Sequence, residues 1–369
     1  MGKFKVLHIF SSTSTGGAEK MTVSIAKNLN KFSNDFESVV AAPKKSYIYE
    51  QALAENLRIY DFSCRGSFTP TGLFKLFNII RKEKVNIVHV HQGKLYWTAL
   101  VMKIFFKNLK VALHRHQDTR HKWYAKWHYK LADITFAVSN AVKENLVKCE
   151  NAPENKISVL YNGFDFENFA KDIDCKDLIE KYNLKDKIII GTVGAMVSLE
   201  GKGQKYLLEA ISQLRKSYNN IVCLLIGDGI GRKEQELYAK ELKIDDLAIF
   251  TGYQENVAKY INVMNIFCLP SCDTEGFGNV NIEAQYLAKP VITTNIGGVP
   301  ETVIKDKTAI MVSPKNAKEL ANAISKLIEN KDYALKLGIE GKKFVEQTFS
   351  ANVMINNLVN SYKTLLNNA

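Results

Sequence analysis

Short β-branched or apolar runs alternate with stretches of helical spacing along almost the whole chain, and this rhythm restricts the possible folds more than any single motif. The runs are KVLHIF (5–10), SVVAA (38–42), NIVHV (86–90), KVALHRH (110–116), ITFAVS (134–139) and ISVLYNG (157–163), then KIIIGTVG (187–194), IVCLLIGDG (221–229), LAIFTG (247–252), IFCLPS (266–271) and PVITTN (290–295). Strands joined by helices pair in parallel and are covered on both faces, so they read as continuous apolar runs. A chain of 369 residues exceeds one ordinary core and suits two. The polar, acidic stretch between Gly163 and Lys187 is the expected linker. The expectation is an α/β protein of two doubly wound, Rossmann-like parallel-sheet domains facing across a cleft: 1–168, 169–349, and a last helix over 350–369 packing back on the first domain. Ligands of such sheets sit at the carboxyl ends of the strands.

Charge is uneven. Residues 1–170 hold 25 Lys+Arg against 14 Asp+Glu, and residues 171–369 hold 25 against 24, so the net charge of +12 belongs almost wholly to the first half. Residues 75–130 carry 13 basic side chains and only Glu83 and Asp118 as acids. A helix over 94–107 would gather Leu95, Trp97, Leu100, Val101, Ile104 and Phe105 into one apolar stripe edged by Lys103, Lys107 and Lys110. This pattern fits a core helix with snorkelling lysines or contact with an anionic membrane surface. No nucleic-acid module is present by motif. No apolar run approaches the ~18 residues of a membrane span. The start MGKFKVLHIF lacks a signal-peptide pattern, so the expected location is cytoplasmic, peripheral on the inner face of the membrane. Six cysteines without CxxC spacing, and seven histidines all at or before His128, outline no zinc cluster.

Four strand-to-helix turns carry candidate chemistry. Gly16-Gly17 opens the first helix, where amides favour an anion. In GTVGAMVSLEGKGQ, Gly194 ends a strand and Lys202 stands between Gly201 and Gly203, as suits a phosphate-binding lysine. The turn GDGIG (227–231) is spaced GxGxG and lacks the acidic residue a dinucleotide site requires. In CDTEGFGNVNIEAQ, Glu275 precedes a Gly-Phe-Gly turn and Glu283 lies one turn into the next helix. The amides at Gly278, Asn279 and Val280 form an anion cradle between them. A carboxylate can accept both hydroxyls of a sugar diol.

These residues resemble the retaining glycosyltransferases of family 4, which have the two-domain GT-B fold. The resemblance rests on Glu275-Gly276-Phe277-Gly278 with Glu283-Ala284, followed by Lys289-Pro290-Val291 and Gly297-Gly298-Val299-Pro300-Glu301, with weaker matches at Gly16-Gly17-Ala18-Glu19 and Gly227-Asp228-Gly229. It implies that Glu275 approaches the donor sugar, Glu283 the ribose, and Lys202 with the helix-start amides the diphosphate. It also implies a histidine near the donor sugar, matched by His116 or alternatively His114, with His91, Lys94 and Arg115 on the acceptor side. The implied function is transfer of a sugar from a nucleotide-diphosphate donor to a glycan or lipid-linked glycan acceptor, without cofactor or metal, in surface polysaccharide or lipopolysaccharide synthesis. The family's donor loop usually carries an arginine where this chain has Ala195, and Arg232 or Arg115 is the expected stand-in. A nucleotide-sugar epimerase and a non-catalytic nucleotide-sugar binding protein are the alternatives.

Overall fold

A computed structural model describes residues 2–13, 16–64, 69–117, 125–170 and 173–367. The chain divides into two compact units, Met1–Asp165 with Phe349–Ala369, and Phe166–Thr348.

The first unit is built on a seven-stranded parallel sheet of β1 (Phe4–Ile9), β2 (Phe36–Ala42), β3 (Arg58–Asp61), β4 (Ile87–Val90), β5 (Lys110–Arg115), β6 (Ile134–Ala137) and β7 (Ile157–Val159), in the order β3-β2-β1-β4-β5-β6-β7. Strand order reverses at β1, with β2 on one side and β4 on the other. That switch point opens the crevice where doubly wound sheets take ligands. The closing helix Ala351–Asn367 packs here, with Met354, Ile355, Leu358 and Tyr362 in one core with Val6, Ile25, Ile87 and Phe136.

The second unit holds β8 (Ile188–Val193), β9 (Ile221–Ile226), β10 (Ala248–Gly252), β11 (Ile266–Leu269), β12 (Val291–Thr294) and β13 (Ala309–Val312), all parallel in the order β10-β9-β8-β11-β12-β13. Its switch point lies between β8 and β11. One apolar cluster covers each face of this sheet, so its inner strands are buried on both sides, while the edge strand β10 is half-buried.

Three expectations are corrected. The stretch 163–187 is not a bare linker: Phe166–Phe169 and Lys176–Lys181 are short helices of the second unit. Phe166 stacks on Tyr286 with centroids 4.3 Å apart, and Asp177 pairs with Lys259 at 2.6 Å. An aromatic stack and an ion pair thus anchor a stretch whose composition looked solvated. The helix expected over 94–107 runs Tyr96–Phe105, after a 3-10 turn at Gly93–Leu95. Its stripe is split, with Leu95 and Leu100 buried but Ile104 76% and Phe105 60% exposed. Strands β3 and β13 went unread, β3 because RIYD is a polar edge strand and β13 because AIMV is too short to show a period.

Candidate active site

In the second unit the loop after β8 and the loop after β11 meet. The Lys202 ammonium lies 2.9 Å from a Glu275 carboxylate oxygen, half-exposed on the lysine side. Lys202 is held from below by the buried amide of Gln204, whose Oε1 accepts the Lys202 backbone N–H at 2.6 Å and whose Nε2 donates to the Gly194 carbonyl at 3.4 Å. Gln204 was not singled out in the sequence, since a lone glutamine at a helix start carries no pattern.

Glu275 is held by a different device. Gly297 adopts φ 51°, and a Cβ there would stand 2.1 Å from the Glu275 carbonyl oxygen. Only glycine admits that approach without strain. The next residue, Gly298, donates its N–H to the same carbonyl at 2.9 Å. The Gly-Gly pair 22 residues downstream therefore fixes the backbone of the first glutamate.

Three residues after Glu275, Gly278 caps the helix Asn279–Tyr286 at φ 91°. The buried Asn281 Nδ2 donates to Thr293 and Thr302 Oγ1, both at 3.1 Å, and Gln285 Nε2 donates to the Thr302 carbonyl at 2.8 Å. This pins the helix to β12 and the GVPET turn, so the amide-rich end near Asn279 and Val280 is preorganised. Glu283 is half-buried on the same helix.

Neither proposed replacement for the missing arginine is a spare cation. The Arg232 guanidinium contacts Glu236 at 2.8 Å, Asp228 at 3.4 Å and the Phe250 carbonyl at 3.2 Å. Arg115 is buried and paired with Glu150 at 3.1 Å, the carboxylate that also accepts the Tyr129 hydroxyl at 2.7 Å. The GDGIG turn serves packing: at Gly227, φ 134°, a Cβ would lie 2.1 Å from the Gly194 carbonyl.

In the first unit a cavity of about 250 Å³ opens at the carboxyl ends of β4 and β5, lined among others by Glu19, His91, Gln92, His114, Arg115 and His116. His91, Arg115 and His116 are thereby brought together. Lys94 stands at the neighbouring turn with its ammonium on the Ser11 carbonyl at 2.6 Å. Gly17 is the first residue of its helix, and the preceding Gly16 is extended.

Sequence spacing outlined no metal cluster, yet five histidines are gathered here. His8 of β1 pairs in register with His89 of β4, and the HVH and HRH alternations put His91, His114 and His116 on the same side. His8 Nδ1 lies 3.1 Å from His91 Nε2, and His91 Nδ1 lies 3.2 Å from His116 Nε2. His114 stacks on His116 with centroids 4.0 Å apart. Burial pulls His8 down to about 3 and His116 to about 4, and holds His89, His91 and His114 well below the ordinary imidazole range. Parallel neighbours bring together residues that are distant in sequence, so spacing along the chain could not reveal the cluster.

Two family models match consecutive parts of the chain: Glycosyltransferase Family 4 over residues 15–168 and Glycosyl transferases group 1 over residues 175–344. The capsular polysaccharide biosynthesis glycosyltransferase CapM of Staphylococcus aureus is 34% identical over 238 residues, which are 62% of this chain and 61% of that protein. The match thus spans less than two thirds of CapM's length. Among solved structures, a glycosyltransferase from Rickettsia africae superposes with a TM-score of 0.90 at 25% identity, covering 100% of both chains. HepE of Anabaena in complex with UDP superposes at 0.85 with 18% identity, over 98% of this chain and 100% of that one, a likeness of fold alone. The chain belongs to the GT-B glycosyltransferases of group 1 and family 4.

Proposed function

We propose that this protein transfers a hexose or related sugar from a nucleoside-diphosphate donor to an acceptor hydroxyl, with retention of configuration, in surface polysaccharide synthesis. The observation that carries this reading is the Lys202–Glu275 pair, held on the carboxyl edge of the second sheet just ahead of a pinned helix N-terminus. Lys202 and the amides at Gly278, Asn279 and Val280 take the diphosphate, near the turn at Gly194. Glu275 takes hydroxyls of the transferred sugar, and Glu283 takes the ribose diol. Arg232 serves this half through packing around Asp228. His116 lies by the donor sugar, Gly17 opens the neighbouring turn, and His91, Lys94 and Arg115 line the acceptor side.

In the reacting complex the acceptor oxygen attacks the anomeric carbon from the face the diphosphate leaves. The C–O bond to the diphosphate breaks and the acceptor proton passes to the departing phosphate oxygen. Negative charge grows on that oxygen, so a fixed ammonium and oriented amides lower the barrier most. This reading assigns that charge stabilisation to the protein, with no metal ion in the transfer step.

The acceptor is a glycan or lipid-linked glycan, met at the anionic inner face of a membrane. Among the described residues no helix is long and apolar enough to cross one. Support for peripheral contact comes from Phe74, Ile104, Phe105, Trp127 and Leu131, all exposed, on helices Pro70–Glu83, Tyr96–Phe105 and Lys126–Leu131. Lys126 and Lys130 lie over the Trp127 ring. CapM's capsular role supports the pathway class.

The test is incubation with UDP-, GDP- and ADP-sugars, first alone and then with membrane extract, following nucleotide release and the anomeric configuration of the product. Release from one donor that rises with extract, giving an α-product from an α-donor, supports the proposal. Donor binding without release would make the chain a nucleotide-sugar binding protein, and interconversion of free donor an epimerase.

A further inference from the structure

We propose that His91, His114 and His116 form a binding site for one divalent transition-metal ion of the zinc class in the first unit's cavity, distinct from Lys202 and the helix-start amides to which charge stabilisation in the transfer step is assigned. Each ring offers a nitrogen, and the three ligand atoms lie within 4.8 Å of one another. A tetrahedral ion with Zn–N bonds of about 2.0–2.1 Å needs nitrogen pairs about 3.3 Å apart. The His91 Nδ1 to His116 Nε2 separation of 3.2 Å already meets that edge.

Two further observations point to a ligand. His114 is 2% exposed, and neither of its ring nitrogens has a hydrogen-bond partner. Leaving a buried polar nitrogen unsatisfied is costly, and coordination removes that cost. Orientation is also built in. With Nε2–H of His91 donating to His8 Nδ1, and Nε2–H of His8 donating to Ser38 Oγ at 3.4 Å, the lone pair of His91 Nδ1 is turned toward the triad. Supporting bonds of this kind fix the tautomer of metal-binding histidines.

A second set, His8, His89 and His91, also has its nitrogens within reach of one another. It shares His91, and His8 and His89 are fully buried in the sheet, whereas the chosen triad opens on the cavity and has an entry path. Glu19 lines the same cavity and supplies a carboxylate there, and Arg115, also in its lining, is paired with Glu150. Three imidazoles with a fourth position left to water or carboxylate suit a borderline ion such as Zn²⁺.

The experiment uses the tag-free full chain, loaded with Zn²⁺ and analysed for retained metal, then with Co²⁺ read by visible absorption. One ion per chain with the intense bands of tetrahedral Co²⁺ is expected. His116→Asn, at the least buried of the three rings, should weaken binding by about 100-fold or more, and His114→Asn should do the same. His8→Asn, which loosens His91 without removing a ligand, should weaken it by about 10-fold. Cys149→Ser removes the exposed thiol and should change nothing. No retained ion, retention that survives both His116→Asn and His114→Asn, or loss on Cys149→Ser would overturn the proposal. So would a site abolished by His89→Asn and untouched by His116→Asn.

Discussion

The two units build their strand-edge sites from opposite materials. The second unit's is charged and accessible, with Lys202 against Glu275 before a helix N-terminus, and glycines allow its loops to touch. The first unit's is a set of five imidazoles, mostly buried and kept neutral by that burial. An ammonium beside oriented amides suits an anion whose charge grows during reaction. Neutral imidazoles suit hydroxyls, or a metal ion that wants lone pairs. The same architecture can thus offer two different kinds of chemistry, depending on what stands at the switch point.

The sharpest way to break this contrast is pH, because all seven histidines lie at or before His128 and the second unit has none. The buried rings have folded-state values below the ordinary 6.5, down to about 3 for His8 and about 4 for His116. Below pH 6.5 the unfolded chain therefore holds protons that the folded unit excludes. Stability is full above 6.5 and falls as pH drops, by up to about 1.4 kcal/mol per pH unit for each ring. The three tryptophans, Trp97, Trp123 and Trp127, all precede residue 166 in the sequence and the second unit has none, so tryptophan fluorescence does not report the second unit. In chelator-treated buffer the fluorescence midpoint in urea should drop steeply from pH 7 to pH 5. An unchanged midpoint would show that the imidazoles are not buried as described.

Glu275→Gln sharpens the comparison from the other side. Steady-state kinetics should show kcat reduced by about 2–4 kcal/mol of barrier, with KM for the donor little moved. Glu283→Ala should do the reverse, raising donor KM by about 1.5–3 kcal/mol with a smaller change in kcat. Equal losses in both parameters for both variants would collapse the two proposed roles into one. Smallest is the membrane term: removing Lys126 or Lys130 should weaken co-sedimentation with phosphatidylserine-containing vesicles by about 1 kcal/mol each. Removing Lys205, on the second unit, should leave vesicle binding as it was.

Much of this was legible in the sequence because each apolar run forms a strand, most of them buried on both faces, and the turns between them carry glycines. Glu275, Lys202 and Gly297-Gly298 stood out for that reason, although the Gly-Gly contact on the Glu275 carbonyl became visible only once β11 and β12 were neighbours. Other features depend on contacts that leave no local pattern. The histidine cluster requires the order β1-β4-β5. Arg115 looked available until helix Asn140–Glu150 supplied Glu150. Arg232 looked available until Asp228 and Glu236 closed on it.

The most direct measurement is calorimetric titration of UDP, GDP and ADP into the wild-type protein, Lys202→Met and His116→Asn. The account predicts that one nucleotide binds the wild type, that Lys202→Met weakens it by about 1.5–3 kcal/mol, and that His116→Asn binds it as the wild type does. Loss of affinity in His116→Asn with Lys202→Met unaffected would place the diphosphate on the imidazole side and contradict the account.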